Sequence, residues 1–562
     1  MKQGSISRSI MFGSLLSLLL PLPVWADAIQ NQVGIPNTES MQSELEPERK
    51  IVPKEGNPHL DLKAPSNLQP DQKLTANVRQ VVFDCQEQDV NPLLQVVTSG
   101  KLGRQMNFEQ MQVLAVDATK LLRKKGYMTA LVYIPEQELD IHGVLRMKVI
   151  LGRYGDVNIT NHSQLTDERL LGYTYPLRPG QVIKAQPLDK TLLVLNDLPG
   201  VQAKGSLAPG NKPGTAKLIL DASTLEKQGG YLYVDDYGSK STGRWRFGGS
   251  YHYNNVSKVG DQIEVRYLRS NGDLKNYEFR YNVPVGNDGA IARVSYSRMN
   301  YTLGNRWDFL HSDGLAKTME LGVTVPMKRT LKYSSWYDVS YRNRSLDDSY
   351  FNNLNESKKS TDSVQFEIHG YVQEPVYSTT YSIAHTMGNL GMDSSYAAAT
   401  DLQQTAGWYS KTNASLYHIQ QLSNRLQLHI SLSGQYAWKN LDGSEDFFIG
   451  GPSGVRAFPQ GETGGDSGLL GTLEFRYRTG VPGLQLTAFV DGGRVFFNRD
   501  ELPNSMGSNV KNLAGAGLGF IYSHSRKWYA KFDWATPLGN HYSDTEGEDV
   551  HSAWWLRVVK QF

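Results

Sequence analysis

The feature that most constrains this chain is a two-residue alternation of apolar and polar side chains, which begins near Gly229 and continues to the C-terminus. Because successive side chains of a β-strand point to opposite faces, this pattern predicts strands with one apolar, aromatic face and one charged face. The apolar positions include Trp245, Phe247, Tyr251, Tyr253, Tyr277, Phe279, Tyr281, Val283, Val285, Leu473, Phe475 and Tyr477.

Two architectures satisfy such strands, a soluble sandwich and a transmembrane barrel. No helical periodicity interrupts the segment, its apolar face is rich in Tyr, Trp and Phe, and the chain ends on the aromatic residue Phe562. Outer-membrane barrels carry aromatic girdles of this kind at both membrane interfaces. We therefore predict a transmembrane antiparallel β-barrel over residues 225–562, and this length accommodates about 16 strands. A barrel of that width leaves an aqueous channel unless it is plugged.

The N-terminus indicates the compartment. Lys2 and Arg8 precede an apolar run that ends at Leu22, so residues 1–26 are predicted to be a secretory signal peptide. After that run no stretch of roughly 18 apolar residues occurs, and no transmembrane helix is expected. Residues 27–77, rich in Gln, Asn, Glu and Pro, are predicted to contain a short helix and a flexible linker. The formal net charge of +2 provides no basic field of the kind that nucleic acid requires.

Two similar α+β units are predicted between the linker and the barrel. In the first, residues 78–152, Asn107 and Gln110 have the spacing of a capping box at the start of a helix, and Gly126 suits its end. The second unit, residues 153–224, repeats the scheme more loosely. Its predicted strands are 157–159 and 216–220, and the helix between them carries Leu188, Leu192 and Leu195 on one face.

A Gly- and Pro-rich segment, residues 450–462, carries a single cation, Arg456, near its centre. The parity of a later strand predicts that Asp491 faces the lumen of the barrel. A carboxylate in a confined lumen favours a cation, and an Arg on a loop folded inward would supply a bidentate partner. The residues alone leave open whether Asp491 pairs with Arg456 or with a wall residue such as Arg494 or Arg476.

Two of these segments resemble the motifs of a known family. Residues 455–462, Val-Arg-Ala-Phe-Pro-Gln-Gly-Glu, resemble the lid-loop motif of two-partner secretion transporters, the TpsB or ShlB/FhaC/HecB family. Residues 489–493, Phe-Val-Asp-Gly-Gly, resemble that family's F-x-D-x-G strand motif, and the resemblance implies that Arg456 lies against Asp491 inside the barrel. Ala457 stands where Gly is commoner, so the loop-tip backbone is expected to be less free. The candidate site comprises Val455, Arg456, Ala457 and Phe458 of the lid loop, Phe489, Asp491 and Gly493 of the wall, and Glu474 and Arg476 as lumen support.

The resemblance extends to the α+β units, where residues 125–129, 135–137 and 195–200 resemble parts of two POTRA domains. It implies periplasmic POTRA domains, a plug helix within residues 27–77 and a barrel in the bacterial outer membrane. Gly126, Tyr127 and Gln137 are the implied candidates for partner recognition.

The function implied by this resemblance is export of one large unfolded partner, such as a haemolysin, an adhesin or a contact-dependent inhibition toxin. The partner's N-terminal secretion domain would dock on the POTRA domains, where a strand edge or groove suits an extended chain. Outer-membrane lipids and the barrel assembly machinery are the other implied partners, and the chain is expected to be monomeric. No cofactor, metal or nucleic acid is implied.

Three other functions account for parts of the sequence. An insertase of the same superfamily, which folds other barrels into the membrane, usually carries more POTRA modules than the two that fit here. A passive porin has no use for two periplasmic binding domains. Residues 465–468, Gly-Asp-Ser-Gly, resemble the nucleophile loop of trypsin-like proteases, but Leu469 replaces a second Gly and no His-Asp arrangement accompanies it, so no enzyme is predicted.

Overall fold

In a computed structural model of the chain, residues 75–138, 142–501, 508–525, 527–539 and 542–562 are described. The predicted signal peptide and plug helix lie outside these residues. Within them the chain forms two α+β units followed by one closed β-barrel. No helix in this part of the chain is both long enough and apolar enough to cross a membrane.

The first unit begins at Thr75, three residues before the predicted boundary, and its capping box is confirmed. The Gln110 backbone N–H donates to Asn107 Oδ1 at 2.8 Å, and the Asn107 backbone N–H donates to Gln110 Oε1 at 3.1 Å. These bonds satisfy N–H groups that have no partner within the helix, which is why the helix starts here. The elements are β1 (Thr75–Val78), β2 (Gln80–Asp84), α1 (Asn91–Thr98), β3 (Arg104–Asn107), α2 (Phe108–Lys124), β4 (Leu131–Tyr133) and β5 (Val144–Ile150).

The second unit repeats the topology of the first. Its elements are β6 (Arg153–His162), α3 (Asp167–Tyr173), α4 (Ala185–Asp197), β7 (Val201–Pro209) and β8 (Thr215–Thr224). The sheet order β6-β8-β7 corresponds to β2-β5-β4 in the first unit. In each sheet the outer strand that comes first in the chain, β2 or β6, runs parallel to the central strand, β5 or β8. The predicted helix is α4, whose Leu188, Leu192 and Leu195 are buried in the core of the unit.

The predicted antiparallel barrel is confirmed, with sixteen strands within the described residues. A hairpin of two short strands, β24 (Tyr542–Ser543) and β25 (Glu548–Asp549), and a short helix, α5 (Ser395–Thr400), lie in its connections. The barrel strands are β9 (Gln228–Asp235), β10 (Arg246–Asn254), β11 (Gln262–Ser270), β12 (Lys275–Val285), β13 (Ala290–Thr302), β14 (Asp313–Arg329), β15 (Tyr333–Tyr350), β16 (Asn355–Gln373), β17 (Tyr377–Met392), β18 (Gly407–Gln421), β19 (Leu426–Ala437), β20 (Ser467–Arg478), β21 (Leu484–Phe496), β22 (Val510–His524), β23 (Trp528–Pro537) and β26 (Ala553–Gln561).

The second unit docks on one end of the barrel, which we call the proximal end; the opposite end is the distal end. Arg329 at the end of β14 donates to both carboxylate oxygens of Asp197 at 2.8 and 3.0 Å. Arg169 donates to the Asn287 side chain at 3.0 Å and to the Pro284 carbonyl at 3.3 Å. The second unit is therefore held against the three turns that join β10 to β11, β12 to β13 and β14 to β15.

The barrel closes through a short seam between β9 and β26. These strands pair over five residues, whereas β23 pairs with β26 over eight. The fully buried carboxylate of Asp235 accepts hydrogen bonds from Arg246 Nε at 2.8 Å and from Arg557 Nε at 2.9 Å. One side chain thus joins β9, β10 and β26 where the backbone pairing is shortest.

We expect Asp235→Asn to destabilise the barrel by about 3–5 kcal/mol, because it leaves the buried guanidinium of Arg246 without its carboxylate and also removes the partner of the half-buried Arg557. The measurement is the temperature at which the folded band is lost in heat-modifiability electrophoresis. Asp338→Asn, which removes a buried lumen carboxylate far from the seam, is the matched control. A disulfide between Tyr233→Cys and Val559→Cys, which lie directly opposite each other, should restore the Asp235→Asn barrel but not the Asp338→Asn barrel. Equal rescue of both would contradict a role specific to the seam.

Candidate functional site

The connection between β19 and β20, residues 438–466, folds into the lumen and is called the lid loop here. Its four motif residues are buried: Val455 and Ala457 are fully buried, and Arg456 and Phe458 are 3% and 1% exposed. The Val455 N–H donates to the Ile449 carbonyl at 2.7 Å, and the Phe458 N–H donates to the Val455 carbonyl at 3.1 Å. These turns place the Arg456 side chain at the inner wall of the barrel.

Arg456 and Asp491 form a bidentate ion pair. Arg456 Nε donates to Asp491 Oδ2 and Nη2 donates to Oδ1, both at 2.9 Å, and the Arg456 backbone N–H adds a third bond at 3.1 Å. Thr472 donates to the same carboxylate at 2.9 Å. The structure therefore brings Arg456 and Asp491 together, as the family resemblance implies, and the Asp491 carboxylate is fully buried.

Further charges surround this pair and balance it. Arg456 Nη1 donates to Glu474 at 2.7 Å and lies 3.5 Å from Asp533, while Arg476 pairs with Glu474 at 2.6 Å. Lys531 lies 3.1 Å from Asp533. Three cations and three carboxylates thus form one connected set, in which Arg476 and Lys531 are half-buried and the other four are buried. Removal of a buried member is expected to be strongly destabilising, because it leaves an uncompensated buried charge.

The alternative partners for Asp491 lie elsewhere. Arg476 is directed to Glu474, on its own strand. Arg494 is exposed, and its guanidinium carbon lies 5.0 Å from the centre of the Phe496 ring. Among the residues that the sequence left open, Arg456 is the one that contacts Asp491.

Two aromatic side chains complete the site. The guanidinium carbon of Arg456 lies 3.2 Å from the centre of the Phe489 ring, a cation–π contact. Trp555 Nε1 donates to the Arg456 carbonyl at 2.7 Å. Asp533, Lys531 and Trp555 had no place in the predicted site, because nothing in the local pattern of β23 or β26 distinguishes one inward residue from another.

Glycines on the wall provide the space that the lid loop occupies. A Cβ added at Gly515 would lie 2.5 Å from the Ala457 Cβ, and one at Gly493 would lie 3.0 Å from the Ile449 side chain. Ala457, which replaces the commoner Gly, is thus accommodated by a Gly on the opposing strand. Gly493, part of the predicted wall motif, is small because the lid loop packs on it.

The base of the lid loop is anchored at the distal end by Glu462, which is 1% exposed. Its carboxylate accepts hydrogen bonds from Lys511 at 3.0 Å, from the Asp544 N–H at 2.9 Å and from Thr545 at 2.6 Å. The last two residues belong to the connection between β24 and β25. This hairpin also binds Lys240, through Glu546 at 2.6 Å. We call the hairpin and these partners the distal cover.

The structure places the three predicted recognition residues near the junction of the α+β units and at a sheet edge. Gly126 ends α2 with φ +94°, and its carbonyl accepts the Ala185 N–H of the second unit at 2.8 Å. Tyr127 is 7% exposed and lies under the Lys184 ammonium at 5.1 Å. Gln137 bonds both ways to the Arg146 backbone of β5, at 2.7 and 2.9 Å. The contacts of Gly126 and Tyr127 orient the two units, and Gln137 continues the pairing of β4 along the central strand β5. Recognition of a partner by these residues stays a prediction.

The protease-like segment braces loops. Asp466 accepts the Leu441 N–H at 2.9 Å and the Arg499 N–H at 2.6 Å, and Ser467 accepts the Ala437 N–H at 2.9 Å. In the described part of the chain, no group of three or more His, Cys, Asp or Glu residues is arranged to hold a metal ion.

We expect Gly515→Ala to destabilise the lid loop by about 1–3 kcal/mol, because the added methyl group overlaps Ala457. Adding Ala457→Gly should restore stability by returning that volume. Gly492→Ala is the matched control, since a Cβ there meets nothing within 4 Å. Heat-modifiability electrophoresis measures the four proteins, and a swap that fails to recover stability would contradict this packing.

Comparisons with known proteins agree with this architecture. The profile of the haemolysin secretion/activation protein family, ShlB/FhaC/HecB, matches residues 214–522, and that of the ShlB-type POTRA domain matches residues 76–152. Heme/hemopexin transporter protein HuxB of Haemophilus influenzae strain 86-028NP is 28% identical over 550 residues, which cover 94% of this chain and 95% of HuxB. Outer membrane transporter CdiB of Dickeya dadantii strain 3937 is 24% identical over 437 residues, covering 75% of this chain and 76% of that protein.

Solved structures share the fold. CdiB from Escherichia coli aligns with a TM-score of 0.71 at 20% identity, over 97% of this chain and 100% of CdiB. BamA from Haemophilus ducreyi lacking POTRA domains 1–3 aligns with a TM-score of 0.53 at 15% identity, over 87% of this chain and 100% of that structure. This chain belongs to the ShlB/FhaC/HecB family of haemolysin secretion/activation proteins, the outer-membrane transporters of two-partner secretion, with its POTRA domain on the periplasmic side.

Proposed function

We propose that this transporter exports one large secreted protein, which enters unfolded at the proximal, periplasmic end and leaves at the distal, extracellular end. The observation that carries the proposal is a sixteen-stranded barrel whose lumen holds a loop fixed by a connected set of six charges, four of them buried. A porin that passes small solutes does not need such a lock. Export draws no energy from ATP, which the periplasm lacks; folding of the partner outside the cell drives it.

The polar contacts of the second α+β unit are confined to one side of the periplasmic mouth, within the described residues. Within the described residues, the turns at 374–376, 422–425 and 479–483 make no hydrogen bond or ion pair with the second α+β unit, which docks on the turns of β10–β15. We infer that an extended chain leaving the α+β units enters the lumen on the side of β16–β21. The second unit, which shares the topology of the POTRA domain, positions that chain at the mouth.

The lid loop keeps the resting channel closed, and export requires that the Arg456 set loosen and re-form. Arg456→Ala and Asp491→Ala should each reduce export at least tenfold, because either leaves buried charges without a partner. The double variant should be little worse than either single variant, since the two side chains act as one unit. The assay measures the export to the medium of a candidate partner, chosen from the open reading frames that neighbour this chain's gene, normalised to the amount of heat-modifiable barrel.

Arg494→Ala, which removes an exposed Arg from the same strand as Asp491, is the matched control and should export normally. Additive losses from Arg456→Ala and Asp491→Ala would contradict their action as a pair. The same strains report on the insertase alternative: a loss of other outer-membrane barrels would indicate that the chain assembles proteins and does not export one.

The POTRA domain recognises the N-terminal secretion domain of the exported protein through an exposed apolar surface. Val113 and Val116 are 51% and 49% exposed and lie one turn apart on α2, and Val96 on the adjacent α1 is 71% exposed. Exposed apolar clusters on soluble domains mark sites of protein contact. Two accompanying proposals are that the barrel assembly machinery inserts the chain and that it works as a monomer.

We expect Val113→Asp combined with Val116→Asp to lower the affinity for the purified secretion domain at least tenfold while the barrel stays assembled. The affinity is measured by biolayer interferometry on the full chain in detergent. Leu225→Asp, a change of the same kind at a position that is 58% exposed outside the POTRA domain, is the control. Unchanged binding by the double variant would place recognition elsewhere.

A further inference from the structure

Four basic side chains lie on the outer face of four neighbouring strands, and we refer to them as the basic row. They are Arg269 on β11, Lys275 on β12, Arg298 on β13 and Lys317 on β14. Each lies two residues from an outward apolar residue of its own strand, which places it on the outer surface of the barrel. Those apolar residues are Tyr267, Tyr277, Tyr296 and Met319, between 37% and 49% exposed.

The basic row lies at the distal edge of the apolar band. On β14, outward Met319, Leu321 and Val323 separate Lys317 from the proximal turn. The ten residues from Met327 to Lys317 span about 33 Å of strand, which at the usual tilt is about 25 Å of height, the thickness of the apolar band of an outer-membrane barrel. Since the POTRA domain is periplasmic, the basic row lies at the headgroup level of the outer leaflet.

The cations of the basic row repel each other and are not neutralised by ion pairs with the described residues. Arg269 is directly opposite Lys275, and Arg298 is directly opposite Lys317. Like charges placed opposite each other destabilise a sheet. Within the described residues none of the four forms a salt bridge or a side-chain hydrogen bond.

Nothing in the fold of the barrel explains why the four cations are together. The outward residues next along the same edge are neutral or acidic: Asn343 on β15, Asp362 on β16 and Asn389 on β17. Arg298, Lys317 and Arg269 are exposed, so their ammonium and guanidinium groups face the lipid headgroups. The headgroups of the outer leaflet supply phosphates at this depth.

We propose that the basic row binds the phosphorylated diglucosamine headgroup of lipopolysaccharide, the glycolipid of the outer leaflet. Two pairs of cations across three interstrand spacings, about 14 Å, match a headgroup with two phosphates better than a single phosphate. The tyrosines below the row pack on the acyl chains near the headgroup. A cleft of about 580 Å³ on the distal side of Lys275 is lined by five carboxylates, those of Asp273, Asp313, Asp347, Asp348 and Glu356. Carboxylates accept hydrogen bonds from sugar hydroxyls but repel phosphates, so the phosphates bind at the basic row and not in the cleft.

The test measures lipid retention by the full chain in detergent, using native mass spectrometry with added diphosphoryl lipid A. Substitution of the whole row, Arg269→Gln, Lys275→Gln, Arg298→Gln and Lys317→Gln together, should lower the apparent affinity at least tenfold. The control is Lys328→Gln with Lys560→Gln, two basic residues at the proximal end, which should bind as the wild type does. Heat-modifiability of each protein confirms that the barrel is folded, and pairwise substitutions of the row replace the fourfold variant if it does not assemble.

Three further probes distinguish the source of the phosphate. Dephosphorylated lipid A and vesicles of phosphatidylglycerol should bind at least tenfold more weakly than diphosphoryl lipid A. Inorganic phosphate should not displace bound lipid A when it is added at about 10 mM, a concentration that screens exposed charges only weakly. The proposal is overturned if the fourfold variant retains lipid A like the wild type, if dephosphorylated lipid A binds equally well, or if inorganic phosphate competes. The export assay is independent of this result, because the row lies outside the lumen.

Discussion

The buried ion pair between Arg456 and Asp491 is the interaction on which the arrangement of the lumen depends. It fixes the tip of a loop of some thirty residues to one point on the wall, and the neighbouring charges are arranged around it. The apolar cluster beside it, which includes Ile449, Phe458 and Leu513, keeps water away from the pair. Because a lower local dielectric strengthens attraction between opposite charges, packing and electrostatics stabilise the same closed position of the loop.

Glycines on the barrel wall leave space for the side chains of the lid loop and its neighbours. Gly515 leaves room for Ala457, and Gly517 leaves room for the Phe489 ring, whose edge would lie 2.4 Å from an added Cβ. The loop-tip Ala was expected to restrict the backbone, yet the compensating space is on β22, a strand whose glycines have no local signature of this purpose. The fit between loop and wall thus depends on two segments that are distant in the sequence, and neither segment alone predicts it.

The sequence predicted those parts of the structure that local physics determines. Alternation predicted the barrel, since one face of each strand contacts lipid, and the Asn107–Gln110 spacing predicted where α2 begins. Strand parity directed Asp491 inward, and the family resemblance then selected Arg456 as its partner. Asp533, Trp555 and the Asp544 backbone were missed because they lie 77, 99 and 82 residues from the loop residues that they contact. The motif likewise identified Tyr127 as a candidate but did not indicate that it lies at the junction of the two α+β units.

The spacing of Arg456 and Glu462 limits how far the tip of the lid loop can move. Arg456 is bound to the inner wall and Glu462 to the distal cover, and the six-residue separation spans at most about 20 Å even when fully extended. The loop tip therefore cannot leave the lumen while Glu462 holds its base, except by straightening a segment that the turns around Phe458 now fold. Water that enters the lumen from either end replaces the lost hydrogen bonds and weakens the charge set, so release at one anchor favours release at the other. We therefore expect the anchors at Arg456 and Glu462 to be released together when the lid loop moves.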